Sequence, residues 1–212
     1  MLTRVALAAS FALASASSQA TTYTLEPDYT QGVFWWNHLG FSTPAAQFSQ
    51  GEGTLEFDPA DPAKASVMVT IPLRTLSTGV PDLDDDFRSS DFFDTAKFPV
   101  ATFKSLKVEK GMGMDKLKVT GTLSLHGVSK PLTLDVTVVK VGINPRTSLP
   151  TVGFDATATL MRSQFDLGAY VPQVGDEIRL HMISQGVEAQ AYADYRKRQA
   201  EKAAAAKDAK KN

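Results

Sequence analysis

The stretch "LKVTGTLSL" (117–125) alternates without interruption. Leu117, Val119, Gly121, Leu123 and Leu125 fall on one phase, and Lys118, Thr120, Thr122 and Ser124 on the other. Successive side chains of a strand point to opposite faces, so this pattern describes a half-buried strand, and a helix cannot separate the two sets. "LTLDVTV" (132–138) repeats it, with Leu132, Leu134, Val136 and Val138 against Thr133, Asp135 and Thr137. Between them "HGVSKP" (126–131) predicts the turn of a long hairpin, with Gly127 free to take positive φ and Pro131 unable to donate to a ladder.

The alternation recurs along the chain. "GTLEF" (53–57) aligns Leu55 and Phe57, and "VMVTIPL" (67–73) aligns Val67, Val69, Ile71 and Leu73. "FDATATL" (154–160) aligns Phe154, Ala156, Ala158 and Leu160, while "EIRLHM" (177–182) aligns Ile178, Leu180 and Met182. "VFWWNHLG" (33–40) puts Phe34, Trp36 and His38 on one phase. With 23–28 and 99–109 this makes about eight or nine strands. No amphipathic helix separates consecutive strands, which excludes βαβ units and favours an antiparallel sandwich or barrel. Long strands favour an up-and-down barrel, which leaves no open edge. About eight strands enclose either packed side chains or one small ligand.

Two segments break the β pattern. Residues 81–94, "PDLDDDFRSSDFFD", start on a proline and predict one or two short helices. From Tyr192 the chain is rich in Ala, Lys, Arg and Glu without a full apolar stripe, which predicts a helix-prone, solvated tail. At the other end, Arg4, the apolar run "VALAASFALA" (5–14) and "SQA" (18–20) predict a signal peptide cut after Ala20 and hence export. The domain then spans 21–190 and the tail 191–212. Residues 196–212 hold seven Lys/Arg against two Asp/Glu, on a chain whose total is −1. An acidic body with a basic tail does not suit a nucleic acid, and the tail suits transient contact with an anionic membrane surface.

Little in the sequence carries catalysis. There is no cysteine among the 212 residues, which removes thiolate nucleophiles and thiolate metal sites. Of the three histidines, the phase of His38 points inward and that of His181 outward, and His126 sits at a hairpin end, so no metal site forms from them. Asp82, Asp84, Asp85, Asp86, Asp91 and Asp94 read as helix-start residues and a solvated acidic face. "DLDDD" lacks the ligand spacing of a calcium loop. The inner phase, by contrast, is almost wholly apolar. Small residues at Gly53, Gly121, Ala156 and Ala158 leave space on it, which favours an elongated hydrophobic ligand. An outer-membrane barrel fits poorly, because Lys116 and Lys118 would face lipid.

Four segments resemble the YceI-like family of bacterial lipid-binding proteins: "HLGFS" (38–42), "RSSDFFDTAKFPVATFKS" (88–105), "GTLSLHGVSKPLTL" (121–134), and "GFDATATLMRSQFDLG" followed by "VGDEIRL" (153–180). The resemblance implies an all-β fold: an eight-stranded antiparallel, lipocalin-like barrel exported to the periplasm. It also implies that the interior holds an isoprenoid lipid, either an isoprenyl phosphate or a quinone, with no catalytic cofactor. On that reading Phe34, Trp36, Phe57, Val69, Ile71, Phe103, Leu123, Leu134, Phe154, Leu160 and Ile178 line the cavity. His38 and Arg162 are the candidate head-group contacts. Where the family has an Arg-Asp-x-His-Leu run this chain has Leu83–Phe87, and Ala46 stands in place of a glycine. The alternative is a small-substrate hydrolase or isomerase using His38 and the Asp-rich helix. A homodimer is left open.

Overall fold

The computed structural model describes residues 20–209; positions 1–19 of the expected leader and 210–212 of the tail lie outside them. Ten strands form: β1 (Thr21–Leu25), β2 (Gln31–Trp35), β3 (Ala45–Phe48), β4 (Glu52–Phe57), β5 (Ser66–Pro72), β6 (Val100–Lys110), β7 (Lys116–Leu125), β8 (Val128–Ile143), β9 (Pro150–Met161) and β10 (Glu177–Glu188). Helix α1 (Pro81–Arg88) lies between β5 and β6, and α2 (Ala189–Ala209) follows β10. All the strand pairs are antiparallel, and β10 pairs with both β1 and β2, which closes the sheet into a barrel.

Ten strand segments make eight staves. Strands β1 and β2 both run along β10, separated by a one-turn helix at Pro27–Tyr29. Beside them β4 pairs with β1 and β3 with β2, so each couple is one bent stave. Pro27 removes a ladder donor and forces the first bend. The second bend falls at Gln50–Gly51, where a Cβ on Gly51 would stand 2.6 Å from Cγ2 of Thr30. Only glycine lets the two bends nest this closely.

The β7–β8 turn is shorter than the sequence predicts. His126 (φ 51°) and Gly127 (φ 77°) form it alone, and Val128–Pro131 already pair with β7. Pro131 is tolerated because β9 joins β8 only from Asp135 onward, leaving one side of that stretch without a ladder to break. The helical segment is also shorter than 81–94. It ends at Arg88 because Ser89 turns extended (ψ 170°) while its N–H still donates to the carbonyls of Asp85 and Asp86. Residues 89–98 continue as turns.

The acidic face is not all solvated. Asp84 is buried, and its Oδ1 accepts from the N–H of Thr78 (2.5 Å) and from its hydroxyl (2.6 Å). Burial by itself raises the pKa of this carboxyl. The Thr78 hydrogen bonds and the Arg88 charge outweigh burial, so the net shift is downward. No side chain caps α1; Val80 occupies the cap. At the opposite end of the barrel, the Glu188 carboxylate accepts from the N–H groups of Gln190 and Ala191 and starts α2. The tail is therefore a continuous helix from Ala189, two residues earlier than the sequence boundary suggests.

Three apolar clusters fill the interior. One is built on Phe103, Val108, Val119, Leu134 and their neighbours along β6–β8. A second joins Phe34, Trp36, Ile178 and Leu76 to Phe87 of α1. The third, Tyr23, Leu25, Leu55, Phe57 and Val152, sits towards the far end.

Candidate functional site

Between these clusters the barrel keeps a cavity of about 710 Å³, within the range that holds a drug-sized ligand. Eight staves give a lumen that side chains can fill or that can hold one small ligand, and here the inward side chains leave part of it open. Towards one end Phe57 meets Phe154 edge-on at 5.5 Å. Towards the other, α1 and the turns after it lay aromatic rings across the opening. Phe87 lies 5.3 Å from Trp36 and 5.2 Å from Phe92, and Phe93 lies 5.5 Å from Phe48. Phe48 in turn stacks on Phe34 at 5.4 Å. Tyr170, from the segment between β9 and β10, joins Phe92 at 6.2 Å and completes the plug.

The structure brings the thirteen residues singled out from the sequence to this cavity. Phe34, Trp36, Phe57, Val69, Ile71, Phe103, Leu123, Leu134, Phe154, Leu160 and Ile178 lie on its wall, and His38 and Arg162 at its α1 end. Two of the four small residues behave otherwise than the sequence suggests. A Cβ on Gly121 would stand 2.4 Å from the Phe103 ring and from the Lys104 carbonyl oxygen, and one on Gly53 would stand 2.0 Å from the Met68 carbonyl oxygen. These glycines admit a neighbouring ring and backbone; they do not leave room for a ligand. Beside Gly121 the β6 strand carries a bulge between Ser105 and Lys107. Ala156 does line the cavity, and Ala158 packs against the β6–β8 cluster.

The two polar candidates differ from their sequence reading. His38 is exposed: β2 ends at Trp35, so His38 stands in the following turn, on the rim, with no side-chain hydrogen bond among the described residues. Arg162 is buried, and its guanidinium is committed to backbone. Nε donates to the Gly175 carbonyl (2.9 Å), one terminal nitrogen to Val174 (2.9 Å) and the other to Leu167. It clasps the 162–176 loop onto the barrel. Burial pulls its pKa below the usual arginine value, and Asp176 opposes that. Asp176 is held by Ser163, whose N–H (2.8 Å) and hydroxyl (2.7 Å) both donate to it. Burial acts to raise the Asp176 pKa, but these bonds and Arg162 bring it down.

The remaining polar lining at this end includes Ser42, Asp86, Ser89 and Asp91. The sequence reading missed these as rim residues, because α1 and the turn after it carry no alternation from which a facing could be read. No hydrogen bond joins His38 to Asp86 or Asp91. His181 faces outward and bonds Asp155 at 2.8 Å; His126 stays at the β7–β8 turn against the Phe98 ring. Among the described residues no three His, Cys, Asp or Glu side chains are grouped to hold a metal.

Comparison with known proteins follows the same outline. Residues 23–184 match the model of the YceI-like domain. The protein YceI of Escherichia coli O157:H7 is 32% identical over 182 residues, covering 85% of this chain and 94% of that protein. The crystal structure of Burkholderia cenocepacia BcnA superposes with a TM-score of 0.66 at 26% identity, over 74% of this chain and 95% of that one. A polyisoprenoid binding domain from Saccharophagus degradans, implicated in plant cell wall breakdown, shares the fold (TM-score 0.60, 16% identity, 81% of this chain and 100% of that domain).

Proposed function

This chain belongs to the YceI-like family, and we propose on that premise that it binds, carries or sequesters an isoprenoid lipid, an isoprenyl phosphate or a quinone, in its barrel cavity. The observation that carries the reading is the cavity: about 710 Å³, walled mostly by hydrocarbon and aromatic rings, with His38, Ser42, Asp86, Ser89 and Asp91 at its α1 rim and Thr30, Gln31, Ser66 and Ser184 among the polar groups elsewhere on the wall. An isoprenoid tail is an apolar rod, and each buried CH₂ contributes about 0.8 kcal/mol. A tail can be held by the wall alone while its head meets the rim. The polyisoprenoid binding domain with the same fold supports the choice of ligand. Export through the leader at 1–20 would place the protein in the periplasm, between membranes that supply such lipids.

The protein is read as a binder and not as an enzyme, on the strength of its family and of the polyisoprenoid binding domain that shares its fold. The rim brings His38, Asp86 and Asp91 to one opening, which is where the enzymatic alternative would act. Native mass spectrometry of protein purified from its own host tests both points. The expected result is a co-purifying isoprenoid of defined mass. Protein recovered without lipid, and unable to take up a long-chain isoprenoid in vitro, would overturn the binding reading. Turnover of a small substrate, lost in a folded His38→Ala variant, would overturn the non-enzymatic one.

A further inference from the structure

The barrel has two chemically different ends. The α1 end carries the cavity rim, and its covering segments are acidic: residues 81–94 hold six aspartates against Arg88. The opposite end holds the β4–β5 turn with Asp58 and Asp61, the β6–β7 turn, the β8–β9 turn and the start of α2, because these follow strands running away from α1. Its basic part is the β6–β7 hairpin. Residues 104–118, "KSLKVEKGMGMDKLK", contain five lysines against Glu109 and Asp115, a net of +3, on a chain whose total is −1.

The same hairpin exposes apolar side chains that the fold does not use. Met112 and Met114 at its tip are fully exposed (101% and 99%), and Leu106 on β6 is 71% exposed. The neighbouring strand continues the feature. Beyond Val138 it pairs only with β9, and a register shift there leaves Val139 exposed together with Val141 and Ile143. Side chains of this kind are ordinary when scattered; here six fall on one hairpin and the strand beside it. Lys104, Lys107, Lys110, Lys116 and Lys140 are exposed on the same strands, and among the described residues Lys107 alone of these is ion-paired, to Glu109 at 2.7 Å.

We propose that this end of the barrel docks onto an anionic lipid surface, with Met112 and Met114 entering the interface and the surrounding lysines meeting lipid phosphates. Charge selects the occupant. Juxtamembrane lysines contribute about 1 kcal/mol each against an anionic leaflet, and methionine is a flexible apolar side chain that adapts to irregular surroundings. The docking holds the acidic rim away from the bilayer, where like charge would repel it. Neither the identity of the cavity ligand nor the α2 helix is needed for the contact.

Sedimentation with vesicles of phosphatidylcholine alone, and of phosphatidylcholine with 30% phosphatidylglycerol, tests this on the mature full chain. Binding to the anionic vesicles that weakens at high salt is expected, with little binding to phosphatidylcholine alone. Met112→Asp/Met114→Asp should weaken binding at least tenfold. Both positions are fully exposed, so circular dichroism should stay unchanged. Deletion of residues 196–212 should retain most of the hairpin-dependent binding, and Phe41→Ser at the exposed rim turn should leave binding unaltered. Absence of vesicle binding, equal binding to both vesicle types, wild-type binding by the methionine pair variant, or loss of binding on the tail deletion alone would each overturn the proposal.

Discussion

At the scale of single residues, buried charge organises the rim. Arg162 has neighbours only because the 162–176 loop folds back on it, so removing its guanidinium orphans three carbonyls at once. An unmade buried hydrogen bond costs about 1–3 kcal/mol. Arg162→Met should therefore destabilise by roughly 3 kcal/mol or more in urea titration, and it should raise amide exchange across 163–176. Asp84 and Asp176 set an acid limit. Both carboxyls titrate below their ordinary range in the fold, so the unfolded chain binds protons first as pH falls. Their stabilisation is present above about pH 4 and is lost as pH drops through the lower folded values. Asp84→Ala should cost about 2 kcal/mol at pH 7 and flatten the stability profile below about pH 4, measured by thermal melts across pH. The sequence marked Asp84 as acidic and helical. Its burial depends on Thr78 doubling back beside it, a contact that no local pattern announces.

At the scale of elements, the aromatic plug and the terminal helix make opposite predictions. Phe93 stacks edge-on to Phe48 and contacts Phe34 and Phe87. Phe93→Ala removes a large ring from the seam between the plug and the barrel, a change that typically costs about 3–5 kcal/mol when fully buried. Phe93 is only partly buried, so a loss nearer 2 kcal/mol is expected, accompanied by faster release of a bound lipid in stopped-flow fluorescence of Trp36. The α2 side chains from Arg196 to Asp208 are exposed. Truncation there should change barrel stability by less than about 0.5 kcal/mol in the same urea titration. The strands other than β3 were legible from their period-2 pattern, and the eleven apolar cavity residues followed from their phase, whereas His38 and Arg162 did not. The ends of elements were not, because helix termination at Ser89 and the two-residue turn at His126–Gly127 depend on backbone angles set by packing.

At the scale of the whole molecule, closure makes the cavity. Bent staves let β10 serve both β1 and β2, and that shared partner turns an open sheet into a barrel. Filling the space should separate binding from folding. Ala156 faces the lumen from β9, opposite Val136 on one side and Met182 on the other. Ala156→Phe is expected to reduce isoprenoid binding at least tenfold, read by Trp36 quenching, while circular dichroism remains that of the native barrel. Retention of wild-type affinity would place the ligand elsewhere.

By itself the sequence determined that the chain is built of antiparallel strands with an apolar inner phase, because strand periodicity is a local property that survives without tertiary context, while closure into a barrel needed the β10 pairings. It determined the acidic and basic segments too, since charge is additive along a chain. Tertiary structure alone decided which small residues leave room. Gly121 and Ala156 share the inner phase, yet one is filled by Phe103 and the other faces the cavity. It also decided that Arg162 clasps a loop and that His38 stands at the rim. Those outcomes depend on which distant segments a side chain meets, and that is fixed only when the barrel closes.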